Sequence, residues 1–317
     1  MPSPSHSLDR VLVTGANGQL GRALIQLLGP HRAIAATRDV LNLEFAPSIP
    51  ARLGYFKPTA VINAGAYTAV DKAESDEQTA MWVNAEAPAK MAEWCAAHDV
   101  PFIHFSTDYV FNGEGDSPRT EDHSTNPLNV YGRTKLEGER QIEAVARESA
   151  KQGRELRYLI FRTSWVYDGQ GKNFLNTMLK LGAERETLKV VSDQIGAPTY
   201  APHLADATLQ ALENACSAQR FPSGIYHLCN TGETSWHGFA SAIFDEARAH
   251  EISLKIREIS PILSSEYPTP ARRPLNSRLD CNKALEVLKV RMPDWRTGLS
   301  ECMDLLSHKI TAPKGNS

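Results

Sequence analysis

The sequence has no long apolar run and no large excess of charge of either sign. Its apolar runs fall well short of the ~18 residues that a membrane-spanning helix requires, and its first seven residues are polar, unlike the apolar core of a signal peptide. Lysine and arginine number 34 against 37 acidic residues, which gives a net charge of −3 and a pI near 6.4. The sequence therefore has no excess of basic residues of the kind that binds nucleic acid or an anionic membrane.

Cysteine is also scarce. The five cysteines are scattered, odd in number, and form none of the close pairs typical of metal sites. Unpaired thiols of this kind are typical of reducing, intracellular compartments. Together with the polar start of the chain, they lead us to expect a soluble, cytoplasmic protein without a metal site.

Short apolar runs alternate with helical patterns over the first half of the chain. Strands are predicted at residues 10–14, 33–36, 60–63, 100–105 and 158–161, and helices at 20–28, 82–98 and 131–149. Such alternation is typical of parallel βαβ units. The predicted fold is therefore α/β, a Rossmann-type doubly wound parallel sheet with a smaller C-terminal α/β substrate domain.

A glycine-rich turn follows the first predicted strand. The run Gly15-Ala16-Asn17-Gly18-Gln19-Leu20-Gly21 spaces its glycines by three and opens a predicted helix. Glycine permits a tight turn and lets the backbone approach a pyrophosphate, which then lies on the amides of the helix N-terminus. The same spacing also occurs in turns that bind nothing, but the strand before it and the helix after it favour a dinucleotide site.

The chain is long enough to bury a large core and to divide into two domains. The alternation weakens after residue 168, so we assign residues 8–168 to an NAD(P)-binding Rossmann domain and residues 169–317 mainly to a substrate-binding domain. Part of the segment 188–215 is expected to return to the first domain. Residues 224–228 and 235–249 are expected to be ordered, and the proline-dense residues 260–274 are predicted to form a closing loop.

The end of the second predicted strand bears on the choice between NAD and NADP. An acidic residue there binds the ribose 2′-hydroxyl, whereas a cation accepts the 2′-phosphate. Here Thr37 and Arg38 come before Asp39. Arg38 favours NADPH, although an arginine can also be merely solvated, and Asp39 leaves NADH open.

Tyr131 and Lys135 are the second chemical signal. Residues four apart share one face of a helix, and a nearby cation is expected to lower the pKa of a phenol by roughly 1–3 units from ~10. Such a phenol can donate a proton near neutral pH, as the reduction of a ketone requires. Tyr/Lys pairs also occur on solvated helices, and Thr107 alone would more often cap a turn. The glycine turn upstream and the place of Thr107 at a strand end favour catalysis.

Several longer runs are more specific than these superfamily-wide signals. They are Ser106-Thr107-Asp108-Tyr109-Val110-Phe111, Thr163-Ser164-Trp165-Val166-Tyr167 and Asp193-Gln194-Ile195-Gly196-Ala197-Pro198-Thr199, with further matching runs at 63–74, 127–132 and 271–277. On these motifs the chain resembles the dTDP-4-dehydrorhamnose reductase family of extended short-chain dehydrogenases/reductases. The resemblance spans roughly residues 11–279.

The resemblance implies a role for each matching residue. For the cofactor it implies contacts from the glycine turn (Gly15, Gly18, Gln19, Leu20 and Gly21), from Thr37, Arg38, Asn42 and Leu43 at the adenosine half, and from Ala66, Tyr67 and Thr68 at the nicotinamide half. For the substrate it implies contacts from Thr107, Asp108 and Trp165. Thr37 and Asn42 stand where acidic residues are frequent in the family, which affects only the choice of cofactor.

The loop predicted at residues 260–274, called the late loop below, adds Arg272 and Arg273, whose guanidinium groups suit a diphosphate. A surface or dimer contact is the plainer interpretation of this pair. Trp165 can likewise be interpreted as a core aromatic.

The implied reaction is the NADPH-dependent reduction of the C4 ketone of dTDP-4-dehydro-6-deoxy-L-mannose to dTDP-L-rhamnose. Hydride comes from the nicotinamide and the proton from Tyr131, while Lys135 lowers the pKa of Tyr131 and binds the nicotinamide ribose, and Thr107 orients the ketone. Magnesium is associated with a dimer contact in some members, but no residue match supports it here, so no metal is predicted. The expected partner is a nucleotide sugar, and a homodimer is left open.

Two alternatives stay open. One is another nucleotide-sugar enzyme of this fold, such as an epimerase or a dehydratase, although Tyr109 stands where a dehydratase would be expected to have a second carboxylate after Asp108. The other is a non-catalytic NADP-binding partner like the regulatory β subunit of methionine adenosyltransferase, which is similar to this family. The presence of Thr107, Tyr131 and Lys135 permits catalysis without proving it.

Overall fold

The computed structural model describes residues 8–311, so the predictions made for residues 1–7 and 312–317 lie outside the described residues. The strands are β1 (Val11–Thr14), β2 (Ala33–Ala36), β3 (Ala60–Asn63), β4 (Phe102–Thr107), β5 (Tyr158–Thr163), β6 (Val166–Tyr167), β7 (Thr187–Val191), β8 (Ile195–Gly196), β9 (Thr199–Tyr200), β10 (Gly224–His227), β11 (Thr234–Ser235) and β12 (Glu258–Ile262). The helices are α1 (Gln19–Arg32), α2 (Ile49–Phe56), α3 (Val70–Ala73), α4 (Glu77–Met81), α5 (Ala87–His98), α6 (Val130–Lys151), α7 (Phe174–Glu184), α8 (Ala201–Ser217), α9 (Trp236–Ala249) and α10 (Trp295–Thr311). All the elements predicted for the first 168 residues are present, β2 and β3 with the predicted bounds and the others with shifted ends. The helix predicted at 82–98 consists of a π-helical turn (Trp82–Glu86) and α5.

Within residues 8–311, six strands form one parallel sheet in the order β10-β5-β4-β3-β1-β2. After β1 the chain forms β2 on one side of β1, and then β3, β4 and β5 in succession on the other side. Loops therefore diverge between β1 and β3, and ligands of open α/β sheets bind outside the carboxyl ends at such a switch point. The predicted doubly wound α/β fold is confirmed.

Apolar layers cover both faces of this sheet. On one face α1 and α8 contribute side chains such as Leu24 and Leu204, and on the other face α2, α5 and α6 contribute Leu53, Met91 and Ile142. Strands buried on both faces need nearly continuous apolar sequences, and each fully buried leucine stabilises the fold by roughly 1.5–3 kcal/mol. This packed core fixes the loops at the carboxyl edge of the sheet.

Residues beyond 168 contribute to two parts of the molecule. Helix α8 packs on α1, and β10 is hydrogen-bonded to β5 at the edge of the large sheet. Helices α7, α9 and α10 and the β7–β12 pair enclose a separate core around Phe239, Phe244 and Trp295. The division into a cofactor and a substrate domain stays a prediction. In the part of the chain that the structure describes, no helix is long and apolar enough to cross a membrane.

The proline-dense segment is not a loop throughout. Strand β12 pairs in parallel with β7 and aligns Pro261 with Val190. A proline is tolerated there because β12 is an edge strand of a two-stranded sheet within the described residues. The loop prediction for residues 260–274 is therefore wrong at 260–262, and residues 264–266 form a short 3₁₀ turn.

Candidate active site

A cleft of about 1060 Å³ opens at the carboxyl edge of the sheet, beside the switch point. Its walls come from the loops that follow β1, β2, β3, β4 and β5 and from the start of α6. The predicted site residues that line it are Gly15, Gly18, Gln19, Leu20, Thr37, Arg38, Asn42, Leu43, Ala66, Tyr67, Thr68, Thr107, Asp108, Tyr131, Lys135 and Trp165. Its volume is at the upper end of the roughly 300–1,000 Å³ typical of small-molecule sites, so it suits a large ligand or two adjacent ligands.

Three predicted site residues lie outside this lining. A Cβ on Gly21 would be 2.1 Å from the Gly15 carbonyl oxygen, so Gly21 serves the close packing of α1 on the turn. Arg272 is exposed. The Arg273 guanidinium donates to both carboxylate oxygens of Asp71, at 3.0 and 2.7 Å, which ties the late loop to helix α3.

The glycine turn forms a cradle with the loop after β3. Gly15 has a φ of 62°, and a Cβ there would lie 2.7 Å from the Gly65 Cα atom, so no larger residue fits without movement. Helix α1 begins at Gln19, and the residue before it, Gly18, has no side chain to cap the helix. The first amides of α1 are therefore left for a ligand, and helix N-termini attract phosphate groups.

The start of α6 is held from three sides. Asn129 caps the helix by accepting from the Gly132 amide at 2.8 Å, and Glu74 accepts from the first helical amide at 2.8 Å. A Cβ on Gly132 would lie 2.3 Å from the carbonyl oxygen of Tyr109, so glycine lets this turn approach the end of β4. These contacts set Tyr131 edge-to-face against Tyr109, with ring centroids 5.6 Å apart.

The electrostatics of Tyr131 and Lys135 differ from the prediction. Burial raises the pKa of the Tyr131 phenol, and a hydrogen bond with Thr107 lowers it by less. The Lys135 amine donates to the Phe105 carbonyl and lies 3.3 Å from His104 Nε2, and burial lowers its pKa from 10.5 to about 7. The prediction that Lys135 lowers the pKa of Tyr131 is wrong in this structure, because burial dominates the phenol and the amine is bound to β4.

Comparison with known proteins shows the family of the chain. The family model described as RmlD substrate binding domain matches residues 9–308. The chain is 44% identical over 305 residues to the dTDP-4-dehydrorhamnose reductase of Burkholderia thailandensis, covering 94% of this chain and 99% of that protein. The chain belongs to the dTDP-4-dehydrorhamnose reductase family. The predicted resemblance is confirmed, and with it the enzyme class of NAD(P)H-dependent oxidoreductases.

Solved structures of dTDP-4-dehydrorhamnose reductases have the same fold. The structure from Clostridium acetobutylicum has a TM-score of 0.83 and 35% identity, and covers 94% of this chain and 99% of that chain. The structure from Bacillus anthracis, described as a complex with NADP, has a TM-score of 0.83, 32% identity and the same coverage. The similarity therefore includes both the sheet and the smaller core.

Two tryptophans form one wall of the cleft in this member of the dTDP-4-dehydrorhamnose reductase family. Trp165 was predicted to lie there, and Trp236 was not. Trp165 has a φ of 48°, which is uncommon for a bulky residue and typical of strained functional sites. Its ring stacks on Trp236 at 3.7 Å, and a Cβ on Gly196 would lie 3.0 Å from it. Trp236 was missed because it opens a helix far along the chain and no local pattern points to the cleft.

Ser106 and Thr163, near the ends of β4 and β5, were also missed, whereas Asp108 beside them was predicted. Ser106 Oγ, Thr163 Oγ1 and Asp108 Oδ2 are buried in the cleft wall and have no hydrogen-bond partner among residues 8–311. Unpaired buried polar atoms are rare in proteins, so these atoms are suited to a polar ligand. Thr163 ends β5 as Thr107 ends β4, and this equivalence was the available sequence signal. Within the same described residues, no group of three or more His, Cys, Asp or Glu side chains is arranged to hold a metal ion.

Asp108 should make the stability of the protein depend on pH. Burial raises its pKa from 3.8 to about 6, and the hydrogen bond that Oδ1 accepts from the Thr107 hydroxyl offsets only part of this shift. A carboxyl whose pKa is raised by folding favours the folded state at low pH, and this contribution is lost as pH rises from about 4 to about 6. Asp108→Asn should therefore be more stable than the wild type at pH 7.5, by about 1–3 kcal/mol, with no such gain at pH 3.5.

Urea unfolding at the two pH values measures this difference. Asp39→Asn, which alters an exposed carboxyl, is the matched control and should change little at either pH. An equal effect of Asp108→Asn at both pH values would contradict the assignment.

Proposed function

We propose that the protein reduces the C4 ketone of dTDP-4-dehydro-6-deoxy-L-mannose to give dTDP-L-rhamnose, with NADPH as the reductant. The observation that supports this most strongly is that Thr107, Tyr131 and Lys135 line one cleft with the glycine turn. The relatives named dTDP-4-dehydrorhamnose reductase and the B. anthracis structure with NADP support the same reaction. NADPH is the preferred cofactor in this proposal, with NADH as a weaker substitute.

The residues present fit a dinucleotide. The Gly15–Gly65 contact leaves space that a Cβ would fill, and the uncapped start of α1 offers amides to a diphosphate. Arg38, which pairs with Glu44 at 2.5 Å, lies in the cleft wall where a 2′-phosphate would bind. The residues that would hold the cofactor are Gly15, Gly18, Gln19, Leu20, Thr37, Arg38, Asn42, Leu43, Ala66, Tyr67, Thr68, Tyr131 and Lys135. When bound, the cofactor supplies the hydride that adds to the ketone carbon.

The side chains supply the proton and the orientation. Because its pKa is raised, the Tyr131 phenol keeps its proton at neutral pH, and it gives that proton to the ketone oxygen as negative charge develops there. Thr107, whose hydroxyl donates to Asp108 Oδ1 at 3.0 Å in this structure, would turn its hydrogen to the same oxygen and hold the carbonyl in place. Lys135 would hydrogen-bond the nicotinamide ribose of the bound cofactor. Atoms balance because one hydride and one proton convert the ketone to an alcohol, and the tyrosinate regains its proton from solvent.

Asp108 and Trp165 would contact the sugar. Asp108 Oδ2 is buried and unpaired within residues 8–311, and hydroxyl groups of a sugar can donate to it. The stacked pair of Trp165 and Trp236 offers an apolar face beside it. These contacts explain how a sugar nucleotide could be recognised without a metal ion.

Arg272 and Arg273 would bind the diphosphate of the substrate, but to different extents. Arg272 is exposed, whereas Arg273 is already bound to Asp71. Arg272→Ala should therefore weaken binding of dTDP about tenfold, as expected for loss of a charge-assisted hydrogen bond, and Arg273→Ala should weaken it less. Isothermal titration calorimetry measures both, with Arg296→Ala as the control, because Arg296 is exposed and lies outside the cleft lining. Unchanged affinity for dTDP in both variants would reject the proposal that these arginines bind the diphosphate.

Turnover tests the whole proposal. The protein is incubated with the 4-keto sugar nucleotide and either NADPH or NADH, nicotinamide absorbance is followed, and the product is identified by NMR. Consumption of NADPH with formation of the rhamnose nucleotide is expected. Epimerisation without consumption would indicate the epimerase alternative, and binding of NADPH without any change of the sugar would indicate a non-catalytic partner.

The cytoplasmic location and the homodimer are further parts of this proposal. Cell fractionation tests the first, and analytical ultracentrifugation tests the second. A monomer at micromolar concentration would remove the homodimer.

A further inference from the structure

A buried chain of hydrogen bonds crosses three strands and ends at Lys135. The Gly65 amide donates to Thr14 Oγ1 at 3.1 Å, and the Thr14 hydroxyl donates to Asn63 Oδ1 at 2.5 Å. The Asn63 amide lies 3.0 Å from His104 Nδ1, and His104 Nε2 lies 3.3 Å from Lys135 Nζ. Each of the four side chains is at most 2% exposed. The parallel register of β1, β3 and β4 brings the first three into line.

The backbone sets the direction of this chain. An amide N–H can only donate, so the Thr14 oxygen accepts from Gly65. The Thr14 hydroxyl in turn donates to the carbonyl oxygen of Asn63. The amino group of Asn63 is then the group that faces His104, and it can only donate. His104 Nδ1 must therefore be the unprotonated acceptor. Burial and the charge of Lys135 hold the pKa of His104 well below its usual range, so the ring is neutral and carries its proton on Nε2.

This tautomer presents an N–H to the lysine. An ammonium group has donors only, whereas a neutral amine has a lone pair that can accept from Nε2–H. The Phe105 carbonyl accepts from Nζ in either form. The His104 contact is thus favourable only when Lys135 is uncharged.

We infer that His104, aligned by Asn63 and Thr14, is a positioning residue for the proposed reduction, which holds Lys135 at the end of β4 and favours its uncharged form. The inference rests on the proposed function for the role of Lys135 itself. Tyr131 and Glu139 lie on the same helix, four residues before and four residues after Lys135, and Glu139 is paired with Arg162 of β5. Glu139 favours the ammonium, so its effect opposes that of His104.

A purely structural role would leave the protonation of Lys135 unchanged when the chain is broken. Three variants separate the two cases. His104→Phe keeps a ring against Phe102 but removes the Nε2–H donor, and His104→Asn keeps an acceptor for Asn63 but loses the reach to Lys135. Asn63→Asp replaces the donor at Nδ1 with an acceptor, so the ring proton moves to Nδ1 and Nε2 can accept from an ammonium.

The test is a ¹³C NMR titration of the Lys135 Cε atom in protein labelled at lysine, with the signal assigned by its loss in Lys135→Arg. The wild type should titrate near pH 7, and the apparent pKa should rise by about 1 unit in each variant, since a lost hydrogen bond shifts the protonation equilibrium about tenfold. The limb of the kcat/KM–pH profile that reports Lys135 should move in the same direction. His227→Asn removes a different buried histidine and should leave the titration unchanged.

Thermal unfolding and NADPH binding identify the folded variants. An unchanged Lys135 titration in the folded variants would overturn the inference, even if turnover falls. Because the titration needs no sugar substrate, its result stands apart from the proposed function, which a wild-type protein without turnover would refute.

Discussion

Tyr131→Phe is expected to lower kcat about 10²–10⁴-fold, the usual contribution of a positioned general acid. The substitution removes the proton donor and leaves the ring beside Tyr109, so the cleft should keep its shape. NADPH binding should change little, because the glycine turn and the start of α1 hold the diphosphate. Steady-state turnover of the 4-keto sugar and fluorescence titration with NADPH measure the two effects.

Tyr109→Phe is the matched control for this substitution. It removes a neighbouring phenol that has no assigned proton to give, so kcat should fall much less. Turnover of Tyr131→Phe within a few fold of the wild type would remove Tyr131 from the mechanism, and equal losses in both variants would point to a general effect on the cleft.

The second large effect is expected from the buried ion pair of Arg162 and Glu139. The guanidinium donates to both carboxylate oxygens, at 2.9 and 2.7 Å, and the two side chains are 3% and 2% exposed. Removing one partner leaves a buried charge without compensation, which costs about 3–5 kcal/mol. Arg162→Met should therefore lower the free energy of unfolding by about that amount, as measured by urea unfolding at neutral pH.

A double variant and a surface pair control for this prediction. Arg162→Met with Glu139→Leu replaces both charges by apolar groups and should recover most of the loss. Lys90→Ala breaks an exposed pair with Glu93 and should cost less than about 1 kcal/mol. A loss of similar size in Arg162→Met and Lys90→Ala would show that burial of the charges is not the cause.

The sheet could be predicted because its strands are short, apolar and separated by helical patterns. The runs at 33–36 and 60–63 were predicted with the bounds that β2 and β3 have. Strand β3 is buried along its whole length and is almost entirely apolar, as a strand inside the sheet must be, whereas β2 is an edge strand in which Ala35 is exposed. Strand β12 could not be predicted, because Pro261 makes the segment look like a loop. Only its pairing with a distant strand, β7, makes it a strand.

The site was predictable where a local motif carries the chemistry. The glycine turn, the Thr107 strand end and the four-residue spacing of Tyr131 and Lys135 all lie in the cleft. Trp236 and the ion pair of Arg273 with Asp71 depend on contacts between residues far apart in sequence, which no local pattern reports.

The protonation of the catalytic pair could not be predicted from spacing either. A shared helix face brings Tyr131 and Lys135 to the same side, but the Phe105 carbonyl and the His104 ring decide where the amine binds. Burial then has a larger effect on both pKa values than their mutual attraction. How far Tyr131 and Lys135 are removed from water depends on residues distant in sequence that pack around them in the folded protein. The sequence next to the pair therefore does not predict their pKa values.

Tyr131, Lys135 and Glu139 follow one another at intervals of four along the first three turns of α6. An α-helix turns by about 100° per residue, so one inserted or deleted residue between them would swing part of this row away from the cleft. Single substitutions on the outward side of the same turns leave the row intact. The length of this segment is thus constrained more tightly than its composition.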